Sequence, residues 1–419
     1  MTSSPASRTY AWIVFALTFG LLLSDYMSRQ VLNVVFPYLK AEWALTDGRL
    51  GALSGIVSLA VGVLAIPLSL LADRWGRIKS LVLMAALWSL ATLGCGFARN
   101  FEQMLLARAL VGVGEAAYGS VGIAVVLAAF PLNMRATLTG AFLSGGMIGS
   151  VLGISLGGLI ATQFGWRATF VGMALFGLAL TITYPLIVKE ARVARLSVVS
   201  VAMSSRANSS TLRSLIGSRA VICAYLGSGV QVFISGALLA WLPSFLSRQY
   251  HLPVARAGLV TAVFVLTSAI GMTVCGRICD RFGANAPATK MSLAVTFCLI
   301  CFAVLTLAFQ LPVGAPQLVL IALGMFIGAG TVGPAGAMVA NLTPAVVHGT
   351  AFAILSLANN LLGLAPGPVV TGMLADAFGL PAALQLVPLA SLLSAAIFWF
   401  GRRAYRRDVQ RQSATASAF

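Results

Sequence analysis

Charge is what this chain has least of. Only 9% of its 419 residues are Asp, Glu, Lys or Arg, with ten acidic residues in all, whereas a soluble domain carries roughly 25%. Hydrophobic residues make up 59%, and so much apolar side chain has nowhere to go but lipid. That excludes a soluble enzyme, a nucleic-acid-binding domain and a disulfide scaffold. A GxxxxGK[ST] phosphate loop is also missing, which argues against an ATP-driven pump. Cys298 and Cys301 form a CxxC, but no His lies nearby. With Cys95, Cys223, Cys275 and Cys279 they read as small apolar residues, and no metal or cofactor is expected. The apolar stretch after Arg8 has no small-residue cleavage site and is too long for a signal peptide, so it reads as a first membrane span.

What is present is long apolar segments. A span needs roughly 20 residues, and hydropathy with Gly and Pro punctuation predicts twelve, at about 11–37, 50–71, 79–98, 104–130, 137–162, 168–188, 219–246, 256–276, 287–309, 315–340, 350–374 and 381–400. The division expected is a six-helix bundle over 1–188, a connecting loop over 189–218, a second bundle over 219–401 and a basic tail over 402–419. The net charge of +17 follows topology. With the N-terminus in the cytoplasm, only Lys40, Arg49, Arg99, Arg167, Arg248 and Arg256 face outward, and the remaining Lys and Arg outside the spans face inward. The expectation is an integral protein of a bacterial inner membrane, both termini cytoplasmic.

The halves repeat. Ser69-Leu-Leu-Ala-Asp73-Arg74-Trp-Gly76 recurs as Gly276-Arg-Ile-Cys-Asp280-Arg281-Phe-Gly283, in each case after the second span of its half. Phe164-Gly165 before the sixth span likewise matches Phe378-Gly379 before the twelfth. Two parallel six-helix repeats are the simplest reading.

The motif Leu71-Ala72-Asp73-Arg74-Trp75-Gly76-Arg77, its second copy, and Arg108-x-x-x-Gly112 in the fourth span resemble the signature of the major facilitator superfamily. Ser69 stands where that family usually has Gly, and Ile78 where it usually has a basic residue. The resemblance covers the whole chain. It implies an all-α membrane protein whose two six-helix bundles are related by a pseudo-two-fold axis, and a rocker-switch transporter with one central site. It also implies a cytoplasmic gating latch at Asp73, Arg74, Gly76, Arg77, Asp280 and Arg281. Leu110-Val-Gly-Val-Gly-Glu115-Ala-Ala-Tyr118-Gly is similar to the fourth helix of Spinster-type lipid transporters and of organic anion:cation symporters. Both groups often show an adjacent Asp-Arg pair in the first helix. Here Ser28 precedes Arg29, and the acid sits a turn earlier at Asp25.

Four ionisable side chains lie well inside the predicted spans: Asp25, Arg29, Arg108 and Glu115. Charges at such depth mark function by default. A rise of about 1.5 Å per residue puts Asp25 and Arg108 at one level, which predicts an ion pair, with Glu115 on the same face as Arg108 about 10 Å deeper. A midplane carboxyl with no cation at its own depth suits a reversible proton carrier, so Glu115 and Asp25 are the expected proton-coupling residues. Arg29 is left over as the cation for an anionic substrate, with Arg108. The second half is neutral at the matching positions, and Gln231, Asn359 and Asn360 are expected to supply hydrogen bonds. Tyr26, Tyr118 and Phe233 are expected to line the rest of the site. Gly145, Gly149, Gly153 and Gly157 form a smooth face on the fifth span, and Pro366-Gly367-Pro368 after Asn359-Asn360 should break the eleventh.

The sequence thus predicts a monomeric, proton-coupled secondary transporter in contact with membrane lipids and without nucleic acid, moving an organic anion or an anionic amphiphile such as a lysolipid. The alternatives are an uncoupled facilitator and a proton antiporter exporting a drug-like compound. The fifth span lacks the Gly-Pro pair of the family's antiporters, which leans toward symport or uniport.

Overall fold

A computed structural model describes residues 5–131, 134–189, 215, 218–283, 288–343 and 347–416. Most of the connection expected at 189–218 lies outside the described residues. Twelve helices are long and apolar enough to span a membrane: α1 (Thr9–Trp43), α2 (Asp47–Ala72), α3 (Arg77–Phe97), α4 (Phe101–Ala129), α5 (Thr137–Phe164), α6 (Trp166–Ile187), α7 (Arg219–Gln249), α8 (Val254–Phe282), α9 (Thr289–Gln310), α10 (Ala315–Leu342), α11 (His348–Phe378) and α12 (Leu380–Tyr405). The final helical stretch runs on to Ala416, through most of the expected basic tail.

The repeat is visible in backbone geometry as well as in sequence. The α1–α2 connection turns at Ala44 with φ 49°, and the α7–α8 connection turns at His251 with φ 51°. The α5–α6 and α11–α12 connections turn at Gly165 (φ 85°) and Gly379 (φ 82°). Only glycine reaches that last region without strain, which is why Phe-Gly recurs.

Two compact units result. Among the described residues, the first holds those that fall within 1–45, 63–204 and 252–262, and the second those within 46–62, 205–251 and 263–419. Chain order and packing therefore part company at two places: the start of α2 belongs to the second unit and the start of α8 to the first.

Within the first unit, α5 lies against α1 along its glycine face. A Cβ on Gly149 would sit 2.6 Å from the Leu23 carbonyl oxygen, and one on Gly153 would sit 2.7 Å from Met27 Cα. Backbones meet this closely only where side chains are absent. Gly114 of α4 does the same against α3, where a Cβ would stand 2.6 Å from Trp88 N. Within the second unit, Phe398 and Tyr405 of α12 join Val221 and Ala224 of α7, Met291 and Cys298 of α9, and Met338 of α10 in a dry core.

Two helices are broken where their sequences change character. The α-helical ladder of α4 stops at Glu115 and restarts at Tyr118. In α11, residues Asn360–Leu364 form a π-helical turn before Pro366, with Ala365 N donating to the Asn360 carbonyl at 2.9 Å. Pro366 and Pro368 have no N–H to give, so the ladder widens just ahead of them.

Candidate functional site

In the first unit, α4 holds Arg29 of α1 from both ends. The Arg29 guanidinium donates through Nε (3.1 Å) and Nη2 (2.9 Å) to Glu115 Oε2. Arg108, two turns back on α4, donates through Nη1 to the Ser28 carbonyl (3.1 Å) and through Nη2 to the Arg29 carbonyl (3.3 Å). The tight Gly114–Trp88 approach fixes how far α4 stands from α3, and so where Glu115 points. Glu115 is 1% exposed at its side chain and Arg29 18%, while Arg108 is fully buried. Of the two arginines, only Arg29 presents surface that a ligand could touch.

This arrangement corrects the expected pairing. Arg108 is not the partner of Asp25; its fork lies on main-chain oxygens of α1 instead. Nor is Arg29 an unneutralised cation, or Glu115 a carboxyl without one, because the two pair with each other. Asp25 is buried near enough to Glu115 and Arg29 for their charges to interact with its own. The second Glu115 oxygen, Oε1, has no hydrogen-bond partner among the described residues.

The aromatic residues divide. Tyr26 is half-buried, with Arg29 stacked on its ring at 5.8 Å. Tyr118 is fully buried in the first unit, donating its hydroxyl to the Thr18 carbonyl at 2.6 Å and standing edge-on to Trp88 at 4.9 Å. It is a core residue and lines nothing; the break after Glu115 turns it inward.

The second unit carries the neutral groups. Gln231 is buried, accepting from Ser391 Oγ at 2.8 Å and donating to Cys301 Sγ at 3.7 Å, so both ends of its amide serve to join α7 to α9 and α12. Asn359 Oδ1 accepts from Ser228 Oγ at 2.8 Å. Asn360, in the π turn, donates to the Ser356 carbonyl at 2.9 Å, while its Oδ1 is buried and unsatisfied among the described residues. Phe233 is half-buried, its backbone close to Gly363 and Gly367. All six cysteines are free, and no metal-holding cluster exists among the described residues.

Gly76 takes φ 101° between α2 and α3, a conformation that explains glycine in the loop motif. Arg74, Arg77, Asp280 and Arg281 are exposed; the Asp73 side chain lies outside the described residues. Sequence reasoning missed three residues of the second unit, Asp47, Arg248 and Asp376. Their only signal was scarcity, two acids out of ten, each at a helix end.

Twelve apolar helices in two bundles, with the buried Arg29–Glu115 ion pair in the first of them, define a polytopic membrane transporter. The profile of the Major Facilitator Superfamily matches residues 18–331 and 226–418, and the chain belongs to that superfamily. It is similar to a probable L-galactonate transporter of Escherichia coli (strain K12), 29% identical over 303 residues that make up 70% of this chain and 67% of the relative. A gallate transporter of Pseudomonas putida is 26% identical over 304 residues, 66% of this chain and 67% of the relative. In fold it matches the crystal structure of a bacterial homolog to the human lysosomal transporter Spinster, in an inward-facing and unoccupied conformation, with a TM-score of 0.85 over 97% of this chain and 99% of that one at 19% identity. The chain is a transporter and an integral membrane protein, not an enzyme.

Proposed function

We propose that this protein carries a small organic anion together with protons by alternating access, in a bacterial inner membrane with both termini cytoplasmic. The observation that carries the reading is the buried Arg29–Glu115 ion pair with Asp25 beside it. Ionised Asp25 and Glu115 offset Arg29 and Arg108, leaving the cluster neutral. Two carboxyls near each other inside a low-dielectric bundle repel as a pair of anions, and one proton taken up by either relieves that repulsion. The proton leaves the cluster at +1, with Arg29 as its only partly exposed cation. An uncompensated buried cation is costly, and a substrate carboxylate at Arg29 supplies the missing charge. Proton and anion thus bind together or not at all.

The galactonate and gallate relatives support a small carboxylate over an acylated lipid. The free Oδ1 of Asn360 suits a substrate hydroxyl, with Asn359, Tyr26 and Phe233 as further contacts. Asp73, Arg74, Gly76, Arg77, Asp280 and Arg281 act as the cytoplasmic latch in this reading. Purified protein in proteoliposomes, given an imposed pH gradient, should concentrate L-galactonate or gallate in preference to a lysophospholipid, and a protonophore should stop it. Efficient transport of a cationic compound that survives Arg29→Ala would overturn the reading.

A further inference from the structure

Across its middle, α1 leaves one face open. Between Leu21 and Phe36 every residue is buried except Leu23, Tyr26 and Arg29, which follow one another at three-residue steps and so lie along one side of the helix. A face that carries an arginine this deep in a span opens onto water and not onto lipid. The surface of Leu23 and Tyr26 therefore belongs to the same cavity wall as Arg29. Phe19, half-buried, continues that wall toward the N-terminus. Beyond Arg29, through Phe36, α1 is closed, so it offers a ligand surface only on the Tyr26 side.

Two adjacent glycines of α5 seat the two rings of this wall. A Cβ on Gly145 would stand 2.9 Å from Phe19 Cε2, and one on Gly146 would stand 3.0 Å from both Cε2 and Cζ of Tyr26. The Tyr26 ring thus rests on α5 where no side chain intervenes, with the Arg29 guanidinium 5.8 Å from its centre. A carboxylate paired with Arg29 puts the rest of its molecule about one turn down α1, roughly 4.5 Å away and beside Tyr26. An aromatic acid, whose ring is one bond from its carboxyl carbon, brings a π face to that height, where ring centres about 4.5–7 Å apart attract and the arginine favours both rings. A sugar acid brings a run of hydroxyls instead, and each one stripped of water needs a partner. On this wall Tyr26 has one hydroxyl to offer, and Leu23 and Phe19 have none.

We propose that the anion carried is an aromatic carboxylate, bound by its charge at Arg29 and by its ring against Tyr26, and that Gly146 sets this preference by fixing where the Tyr26 ring lies. The proposal rests on the anion–proton reading above and narrows it. Its test is equilibrium binding to the purified full chain by isothermal titration, which needs neither gradient nor coupling. Gallate should bind roughly tenfold more tightly than L-galactonate, and benzoate about threefold to tenfold more tightly than cyclohexanecarboxylate, which has the same carbon skeleton and charge without a π face. Tyr26→Leu should bring both ratios to within about twofold of unity, while Tyr26→Phe, which keeps the ring, should retain most of each. Gly146→Ala pushes the ring off its seat and should lower the gallate preference roughly fivefold. L-Galactonate bound as tightly as gallate, cyclohexanecarboxylate bound as tightly as benzoate, or ratios that survive Tyr26→Leu would overturn the aromatic assignment and leave the anion–proton reading intact. The ratios of the unaltered chain decide even where a variant fails to fold. The expected ratios together with uptake that ignores a pH gradient in proteoliposomes would keep the assignment and sink the coupling instead. If no carboxylate binds, both fall.

Discussion

Glu115 gives a single oxygen, Oε2, to two nitrogens of Arg29 and keeps Oε1 without a hydrogen-bond partner among the described residues. A carboxylate used on one side only has room for a proton on the other. Glu115→Gln preserves an acceptor for Arg29 while removing the charge, so it fixes the cluster in its protonated balance. Uphill uptake under a pH gradient should fall to background, while counterflow between equal internal and external substrate continues within about threefold of the wild-type rate, since counterflow moves no net proton. Concentrative uptake by the variant would show that the proton travels elsewhere.

Arg29 holds Glu115 through two nitrogens of one planar group. Lysine keeps the charge but loses the fork, so Arg29→Lys should raise the half-saturating substrate concentration by roughly tenfold, and Arg29→Ala should leave almost no transport. Initial rates over a range of substrate concentrations separate the two outcomes. Equal loss in both variants would mean that geometry, not charge alone, is indispensable.

Arg108 is fully buried and spends its guanidinium on the backbone of α1, so its effect should be on stability before affinity. Arg108→Ala leaves a cavity and removes two charge-assisted bonds, a loss on the order of 3 kcal/mol or more. Thermal unfolding in detergent, followed by tryptophan fluorescence, should show a clearly lowered midpoint. An unshifted midpoint would contradict the packing described.

The glycine face of α5 offers a paired comparison. Gly153→Leu forces atoms into the Met27 backbone, where even a Cβ would be 2.7 Å away, and should cost at least about 1–3 kcal/mol. Gly140→Ala, on the same helix with nothing within 4 Å, should be neutral or gain up to about 1 kcal/mol from helix propensity. Folded yield by size-exclusion chromatography, with unfolding midpoints, checks both signs.

The twelve spans, the repeated loop motif, the glycine contact of α5 and the break in α11 could all be read from composition and periodicity, because each is a local property of its segment. Which buried charges meet could not. Rise per residue gives the height of a side chain along a helix, and on height alone Asp25 and Arg108 match; it says nothing of how far an arginine reaches around its axis. The Arg108 fork finds carbonyl oxygens of α1, leaving Glu115 to Arg29. Tyr118 was misplaced for a related reason: two residues outside the helical ladder of α4 redirect everything after them. Asp47 pairs across 201 positions with Arg248 and across 329 with Asp376, separations at which no pattern in the sequence connects them.

The π turn at Asn360–Leu364 amounts to one residue more than an α-helix would use. It shifts the angular phase of everything after it by about 100°, and it is this offset face of α11 that brings Gly372 against Asp47 and Asp376 to the start of α2. Removing a single residue from 361–363 would let the helix close up as regular α. Gly372 and Asp376 would then swing off α2 together, although neither had been altered. The contact of α11 with the start of α2 is therefore set in register by an irregularity more than two turns away.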